Sequence, residues 1–347
     1  MKKILVIRFS SIGDIVLTTP VIRCLKNQMQ DVEIHVLTKK KFSNLYKTNP
    51  HIDKVYEYDD ALKKNIQELK SESYDFVVDL QKNKRSVRVT RALRRPHASF
   101  PKLNFKKFLL STFKINIMPD VHIVDRYFKA VEKLGVTNDY QGLDFFISEK
   151  NNYDKSLLPE GFQEFYHAFV IGGTYKTKIL PAVKVAEIIK RINEPVVLLG
   201  GTDDVERAEE ILVRVNEPTS QRADKLSLDS QILRFSDSQI LNLVGKINLE
   251  QSASLVKNAK SVLTNDTGLM HIAAAFHKNI VSVWGNTVPE LGMYPYLPKE
   301  PERCHIVECK DIKCRPCSKL GFKECPKKHF RCMMEIDVDR VVEMLRY

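Results

Sequence analysis

The chain alternates short β-rich runs with helix-length segments along most of its 347 residues. Strands are predicted at residues 3–9, 32–38, 54–58 and 76–80, and again at 169–172, 195–199, 261–264 and 280–284. Helices are predicted at residues 20–27 and 61–71, and then at 182–193, 205–215, 249–257 and 269–276. Strand and helix repeated this often predict an α/β fold in which parallel sheets are covered by helices on both faces.

The polar residues 148–160 separate the two series of strands, and 347 residues exceed one typical hydrophobic core. We therefore expect two facing Rossmann-like domains, residues 1–155 and 156–335. A final helix in residues 336–347 could pack back on the first domain. Doubly wound domains bind ligands beside the carboxyl ends of their strands, so the expected site is a cleft where those ends face each other.

The composition indicates an anionic partner. Lys and Arg exceed Asp and Glu by 12, which favours nucleic acid, an acidic membrane surface or a phosphorylated substrate. The first apolar run is broken by Arg8 and is followed by no small-residue cleavage site, so it reads as a buried strand and not as a signal peptide. No apolar run reaches the 18 residues of a membrane span, and we expect a cytoplasmic monomer.

Residues 261–271, SVLTNDTGLMH, turn an apolar strand through a tight corner into a helix. Such a corner points unpaired backbone N–H groups and a positive helix end at one place, so it can hold a phosphate or diphosphate. The alternative is an ordinary helix cap made by Asp266 or Thr267.

A second corner of similar build follows the first strand, where Asp14 is expected at the carboxyl edge of the sheet. A dinucleotide fingerprint needs three glycines here and only Gly13 is present, which excludes a standard NAD site. Asp14 can simply cap the following helix, which Pro20 either restarts with Thr19 as its cap or kinks. A carboxylate at a helix N-terminus also stays ionised easily and is then available as a proton acceptor.

Three segments in this order resemble the ADP-heptose:lipopolysaccharide heptosyltransferases, glycosyltransferase family 9. They are RFSSIGDIVLTTP at 8–20, GGTYKTKILP at 172–181 and TNDTGLMHIAAAF at 264–276. The resemblance extends over nearly the whole chain, including residues 79–81 and 314–333. It implies two Rossmann-like domains of the GT-B type, with a nucleotide-sugar donor on the second domain and the acceptor on the first. It also implies an inverting transfer that needs no metal and no cofactor.

The resemblance assigns roles to individual residues. Asp14 matches the general base, a role that contributes typically ~10²–10⁴-fold in rate. Lys178 matches a lysine that contacts donor phosphate, with the nearby Lys176 as a rival. The other donor contacts it implies are Ser11, Gly13, Thr174, Asp203, Asp266, Thr267, Gly268 and His271. A helical histidine such as His271 is also a common packed core residue.

One departure from the family pattern concerns the nucleoside end of the donor. The family usually carries an acidic residue, often Glu, after the segment that corresponds to residues 200–202. Here Asp203 and Asp204 fill that region and Glu206 follows. Aspartate is shorter by one methylene, so the sequence leaves open which of them reaches the ribose and which base is bound.

Residues 82–95 hold seven basic residues and no acidic one. Spacings of three and four place Lys84, Arg88, Arg91 and Arg95 on one face of a helix. Such a stripe is either a solvated face or an anion site, and we expect Lys84, Arg85, Arg88 and Arg91 to bind an anionic glycolipid acceptor, because guanidinium groups bind phosphate and carboxylate oxygens bidentately.

Residues 100–114, FPKLNFKKFLLSTFK, mix phenylalanines with lysines. This composition suits an interfacial helix at an anionic bilayer, and a buried helix or a lid is the alternative. With this helix the enzyme would be peripheral on the inner face of the inner membrane.

Cysteines concentrate near the end of the chain. Cys314, Cys317, Cys325 and Cys332 can form a structural zinc site with no catalytic part, although the wide second spacing is not a common finger pattern. Reduced cysteines without a metal are the alternative in a reducing cytosol.

Two other functions explain part of the sequence. A nucleic-acid-binding protein would use the basic stripe but leaves Asp14, Lys178 and the corner at 266–268 without roles, and no nucleic-acid-binding motif accompanies the stripe, so no nucleic-acid partner is expected. A nucleotide-sugar enzyme of the same architecture with another donor or acceptor, including an epimerase, stays open.

Overall fold

The computed structural model describes residues 1–59, 62–217 and 239–347. The chain divides into two compact units. Unit 1 comprises Met1–Lys150, Gly268–His277 and Pro289–Arg303, and unit 2 comprises Asn151–Thr267, Lys278–Val288 and Cys304–Tyr347.

Unit 1 is built on a parallel sheet of five strands in the order β3-β2-β1-β4-β5. Its elements are β1 Lys2–Ile7, α1 Ile12–Val16, α2 Thr19–Gln28, β2 Val32–Lys39, α3 Asn44–Lys47, β3 Lys54–Tyr58, α4 Leu62–Ser71, β4 Phe76–Asp79, α5 Lys84–Leu93, β5 His97–Ser99, α6 Asn104–Phe108 and α7 Ile123–Phe128. The central strand β1 is apolar without alternation, and Ile4 to Ile7 are almost wholly buried because helices cover both faces of a parallel sheet.

Unit 2 contains a parallel sheet of six strands in the order β11-β10-β9-β6-β7-β8. The elements from here to the end of the chain are β6 His167–Val170, α8 Ala182–Ile192, β7 Val196–Leu199, α9 Val205–Asn216, β8 Ile240–Asn242, α10 Leu249–Asn258, β9 Ser261–Asn265, α11 Gly268–Ala275, β10 Asn279–Trp284, β11 Cys304–Glu308, α12 Arg331–Met334 and α13 Val338–Arg346. Helix α11 belongs to unit 1, and the rest belong to unit 2.

The two sheets share one topology. Read in the order of its own strands, each sheet starts in the middle, extends to one side and then returns across the first strand to extend to the other side. This is the strand order of a Rossmann fold, in which the carboxyl ends of the two middle strands open a crevice for a ligand. The predicted α/β class with two Rossmann-like sheets is confirmed.

The last helix packs within unit 2. Val338, Val341, Val342 and Leu345 of α13 lie in the core formed with α8 and the sheet of that unit. This position differs from the packing on the first domain that the sequence had allowed, because one face of the helix is apolar throughout and is already buried in unit 2. The domain boundaries at 155/156 and 335/336 stay predictions.

The predicted inner strands and long helices agree with the structure to within a few residues. The strands that were not predicted are β5, one edge of the sheet in unit 1, and β8 and β11, the two edges of the sheet in unit 2. Edge strands are only partly buried here, so their sequences lack the continuous apolar run that identifies a buried strand. Ala61, the first residue of one predicted helix, lies outside the described residues.

Two local predictions were wrong. Helix α2 begins at Thr19, so its N-cap is Thr18 and not Thr19, and Pro20 lies in the first turn, where its missing N–H costs nothing. Helix α5 ends at Leu93, because Arg94 adopts a left-handed conformation with φ 52°, and Arg95 therefore lies beyond the helix face.

Within the described part of the chain, no helix combines the length and the apolar content that crossing a bilayer requires.

Candidate active site

Asp14 lies in the first turn of α1 and is held on two sides. Its Oδ2 accepts hydrogen bonds from the Ser11 N–H at 3.1 Å and from the Ser11 hydroxyl at 3.0 Å. Its Oδ1 is 2.6 Å from Nη2 of Arg8, which is almost fully buried. The Asp14 side chain nevertheless keeps a quarter of its surface exposed. The carboxylate therefore does cap its helix, which was the alternative interpretation from the sequence. It also still reaches solvent, as a base must.

Arg8 is itself fixed by unit 1. Its Nε donates to the Ser10 carbonyl at 2.9 Å, and its Nη1 donates to the Leu80 carbonyl and to the Tyr127 hydroxyl, 3.1 Å away. Burial by itself would raise the pKa of Asp14, but the Arg8 charge and the Ser11 hydrogen bonds outweigh it and hold that pKa below its ordinary value. Asp14 is thus oriented and kept ionised across the neutral range.

Replacing Arg8 with methionine is expected to move the acidic limb of the kcat/KM profile to higher pH. Without the guanidinium, burial acts on Asp14 unopposed by a charge and the pKa of its carboxyl rises. The lowered pKa of Asp14 also stabilises the folded protein at pH values above about 3.9, the pKa of an aspartate in the unfolded chain. This stabilisation is lost as the pH falls through the pKa of Asp14 in the folded protein. Arg214→Met, which removes an exposed arginine in unit 2, should leave the limb in place. If the acidic limb of the kcat/KM profile of Arg8→Met does not shift, Arg8 does not lower the pKa of the catalytic base.

The first turns of α1 and α11 touch inside unit 1. A Cβ placed on Gly13 would lie 2.6 Å from Cδ2 of His271 and 3.4 Å from the Gly268 Cα, and one on Gly268 would lie 2.9 Å from Cβ of Ile12. Side chains do not fit at these distances, so both glycines permit the close approach. The helix start that can bind a diphosphate therefore lies against the turn that carries Asp14.

His271 is buried with 3 % of its surface exposed, and its ring packs over Gly13. This placement agrees with the packed core residue that the sequence left open. The ring stays next to both glycine turns, so the proposed contact with donor phosphate remains a proposal.

Asp79 and Gln81 organise the edge of the sheet beside Asp14. The Asp79 carboxylate accepts hydrogen bonds from the backbone of Gln81 and Lys82 and from the Ser86 hydroxyl. Gln81 Oε1 accepts the Phe9 N–H at 2.8 Å. The Asp79 bonds fix the loop after β4, and the Gln81 bond joins that loop to the loop after β1, which is a positioning function.

In unit 2, Lys178 and Asp266 form an ion pair. The Lys178 Nζ is 2.5 Å from Oδ2 of Asp266, which also accepts a hydrogen bond from the Thr287 hydroxyl at 2.9 Å. The two side chains are 16 % and 12 % exposed, whereas Lys176 is exposed. The structure thus brings together two residues that the sequence assigned to donor phosphate and donor sugar, 88 positions apart in the chain.

Asn265 ties the loop of Lys178 to the end of β9. Its Oδ1 accepts the Leu180 N–H at 3.0 Å and its Nδ2 donates to the Gly172 carbonyl at 3.1 Å. A Cβ on Gly173 would lie 3.3 Å from the Thr267 side chain. The segments that carry Thr267 and Lys178 are therefore packed together at the carboxyl ends of β6 and β9, while Thr174 is exposed beside them.

The two aspartates after β7 have different environments. Asp204 is buried, and its Oδ2 accepts the Gly201 N–H at 3.0 Å while its Oδ1 lies 3.2 Å from Nη1 of Arg207. A Cβ on Gly172 would collide with this carboxylate. Asp204 is thus engaged within the protein, whereas Asp203 is exposed. Which of the two meets a ribose stays a prediction.

The predicted acceptor residues Lys84, Arg85, Arg88 and Arg91 are all exposed on α5, opposite its buried face. Three of them line an open groove of about 680 Å³, together with Lys70 of α4 and with Arg94. The groove is cationic, which suits an anionic ligand, and the acceptor assignment stays a prediction.

All seven cysteines lie in the described residues as free thiols. Burial raises the pKa of the Cys332 thiol to about 12, with smaller contributions from Cys314, Cys317 and Cys325 nearby. The Cys314 Sγ is 3.7 Å from Nε2 of His329. In residues 1–59, 62–217 and 239–347, no three His, Cys, Asp or Glu side chains are arranged as metal ligands.

Three residues of these sites were not predicted from the sequence, namely Arg8, Thr287 and Asn265. Arg8 carried a signal, since a charge that interrupts a buried strand needs a partner. Asn265 lies in the corner at 261–271, but its role there and that of Thr287 depend on contacts with distant residues.

Two Rossmann-like sheets with polar groups at the carboxyl ends of their strands are typical of α/β proteins that bind nucleotides. Residues 62–320, more than half of the chain, match the model of glycosyltransferase family 9 (heptosyltransferase). The lipopolysaccharide heptosyltransferase 1 of Campylobacter coli is 28 % identical over 316 residues, covering 82 % of this chain and 84 % of that protein. The chain belongs to glycosyltransferase family 9, and it is a glycosyltransferase.

Two solved structures are similar over nearly the full length of the chain. The Escherichia coli ADP-heptose lipopolysaccharide heptosyltransferase II has a TM-score of 0.69 at 22 % identity, covering 100 % of this chain and 98 % of that one. The E. coli heptosyltransferase WaaC with ADP has a TM-score of 0.65 at 18 % identity, covering 99 % of each chain. These likenesses support the GT-B type of fold.

Proposed function

We propose that this enzyme transfers a heptose or a related sugar from an ADP-sugar to a lipopolysaccharide core or a similar anionic glycolipid, with inversion and without a catalytic metal. The observation that carries the proposal is the contact between the glycine turns of α1 and α11. It places a helix start suited to a diphosphate next to the turn of Asp14. The ADP named with the similar E. coli heptosyltransferase favours the same nucleotide here.

In the proposed reaction, Asp14 accepts the proton of an acceptor hydroxyl while that oxygen attacks the anomeric carbon of the donor. The bond between that carbon and the diphosphate oxygen breaks, and ADP leaves with the negative charge. A base that is oriented by Arg8 and Ser11 needs no rearrangement before it accepts the proton.

The departing diphosphate requires positive charge and backbone donors. We assign these roles to Lys178 and to the amides of Thr267 and Gly268, and we assign further donor contacts to His271, Ser11 and Gly13. The Lys178 ammonium is paired with the Asp266 carboxylate. We propose that the donor diphosphate contacts Lys178 while Asp266 and Thr287 form hydrogen bonds to sugar hydroxyls. Thr174 and Asp203 are assigned to the nucleoside side of the donor.

The acceptor would use the cationic groove on α5, and the reaction would take place on the cytoplasmic face of a membrane that carries the glycolipid.

Structural zinc at Cys314, Cys317, Cys325 and Cys332 stays a proposal separate from catalysis. Metal analysis of the purified protein should find one zinc per chain if the site forms, and metal-free folded protein would contradict it.

Thermal unfolding with nucleotides and nucleotide-sugars tests the donor. A ligand that binds only the folded state stabilises it by about 2.7 kcal/mol at 100 times its Kd. We expect ADP and ADP-heptose to raise Tm and UDP and GDP to leave it nearly unchanged. A larger rise with UDP or GDP would contradict the adenine donor, and equal stabilisation by single-stranded or duplex nucleic acid would favour the alternative use of the basic stripe.

A further inference from the structure

Residues 102–117, called here the aromatic segment, leave large apolar side chains in solvent. Phe105, Phe108 and Phe113 are 70 %, 50 % and 58 % exposed. They account for three of the four strongly exposed phenylalanines among the described residues, so the exposure is concentrated and not scattered over the surface. Ile115 and Ile117 extend the same surface.

The backbone of the aromatic segment is ordered by local structure. Helix α6 continues into one π-helical turn, Leu109–Phe113, and Leu110 is buried in unit 1. The rings of Phe108 and Phe113 meet edge to face at 5.7 Å. The segment is thus a short helical projection with one buried anchor, and its aromatic face lacks a cover in the described part of unit 1.

The charge around the aromatic segment has one sign. Between Asp79 and Asp120 the sequence holds eleven Lys and Arg residues and no acidic residue. Four of them, Lys102, Lys106, Lys107 and Lys114, belong to the segment itself. Aromatic side chains interleaved with lysines match the interfacial region of an anionic bilayer, where rings enter the boundary of headgroups and acyl chains and ammonium groups meet lipid phosphates.

A protein partner fits this surface less well. The cores of protein interfaces are depleted of lysine, whereas here lysines alternate with the exposed rings. A second copy docked through the same surface would place its lysines against these lysines, and juxtaposed like charges are unfavourable.

The aromatic segment begins two residues after Phe100, which is linked to the Asp14 site through Tyr127 and Arg8. Lys82 Nζ donates to the Phe100 carbonyl at 2.9 Å, and the Phe100 ring packs edge to face on Tyr127 at 4.7 Å. Tyr127 in turn contacts Arg8, the partner of Asp14. Burial lowers the pKa of Lys102, with Arg8 acting in the same direction and Asp79 and Asp14 opposing it, which places Lys102 within the field of the Asp14 site.

We propose that the aromatic segment docks this enzyme on an anionic lipid bilayer, with Phe105, Phe108 and Phe113 inserted into its interface. The proposal rests on the proposed function, since a glycolipid acceptor is presented at such a surface. The segment is linked to the Asp14 site through Phe100, Tyr127 and Arg8, so docking would hold the acceptor headgroup on the same unit as the base while its acyl chains stay in the bilayer.

Vesicle co-sedimentation tests the docking. The full-length protein should bind phosphatidylglycerol-containing vesicles and bind pure phosphatidylcholine vesicles weakly, and added salt should weaken the binding. The triple variant Phe105→Ser, Phe108→Ser, Phe113→Ser should bind the anionic vesicles at least about tenfold less. The matched control Leu157→Ser, Phe322→Ser removes exposed apolar side chains from unit 2 and should bind as the wild type does.

Several results would overturn the proposal. They are unchanged vesicle binding by the triple variant, binding that is indifferent to anionic lipid, and an oligomer of the wild type that the triple variant converts to monomer, which would assign the surface to a second copy. Equal Tm values for the three proteins confirm that loss of binding is not loss of folding.

Activity separates this proposal from the proposed function. The triple variant should transfer sugar normally to a water-soluble, delipidated acceptor and poorly to the same acceptor embedded in vesicles. If the wild type fails on both acceptors, the proposed function fails while vesicle binding still decides the docking. If the triple variant retains wild-type turnover on the embedded acceptor, docking through the aromatic segment is wrong and the transferase function stands.

Discussion

Substituting asparagine for Asp14 is expected to lower turnover by ~10²–10⁴-fold while leaving ADP binding intact. Asparagine has nearly the same shape and can still accept the hydrogen bonds from Ser11, but it does not accept a proton. The loss should appear in kcat, because the general base acts in the transition state and not in donor binding. Steady-state kinetics together with ADP-dependent thermal stabilisation measure both quantities on one preparation.

The Asp14→Asn substitution removes both the ion pair with Arg8 and the proton acceptor, and a control must separate these two effects. Asp139 offers a matched control, because its carboxylate also pairs with a buried arginine, Arg23, at 2.8 Å. Asp139→Asn should lower Tm and leave turnover largely intact, whereas Asp14→Asn should lower turnover whatever its Tm. Near wild-type turnover in Asp14→Asn would show that another group accepts the proton.

The second large effect is expected at Lys178. Replacement by methionine should reduce kcat by roughly 10²–10³-fold, the loss that follows removal of one group stabilising developing charge in a closed site. Lys176→Met is the matched control, because Lys176 lies two residues away and is exposed. A larger loss in Lys176→Met than in Lys178→Met would exchange the roles of the two lysines.

The ion pair with Asp266 complicates a single substitution at Lys178. Lys178→Met leaves a mostly buried carboxylate with Thr287 as its remaining neutral partner, so stability should fall as well. The double variant Lys178→Met, Asp266→Asn removes that unpaired charge and should regain stability without regaining turnover. Recovery of turnover in the double variant would mean that Lys178 only neutralises Asp266.

Much of the candidate site was predictable because its chemistry is local in sequence. The apolar run of β1, the small residues after it and Asp14 stand within a dozen positions, as do the end of β9, the corner at 266–268 and the start of α11. Motifs of this kind follow from the need for a tight turn and free amides at one place. Asp203 and Thr174 were predicted by resemblance and the acceptor residues from the spacing of basic residues, and all of them stay predictions.

By itself the sequence determined the α/β class, the buried inner strands and the family, because continuous apolar runs specify parallel strands and the motifs lie in short contiguous segments. The tertiary structure decided which side chains meet. Arg8 belongs to Asp14 because its other donors are anchored on Leu80 and Tyr127, and Lys178 meets Asp266 because β6 pairs with β9. It also decided that Asp204 turns inward and that the aromatic segment stays exposed. The contacts of Arg8 with Leu80 and Tyr127 and of Lys178 with Asp266 join residues far apart in the chain, so no local pattern encodes them.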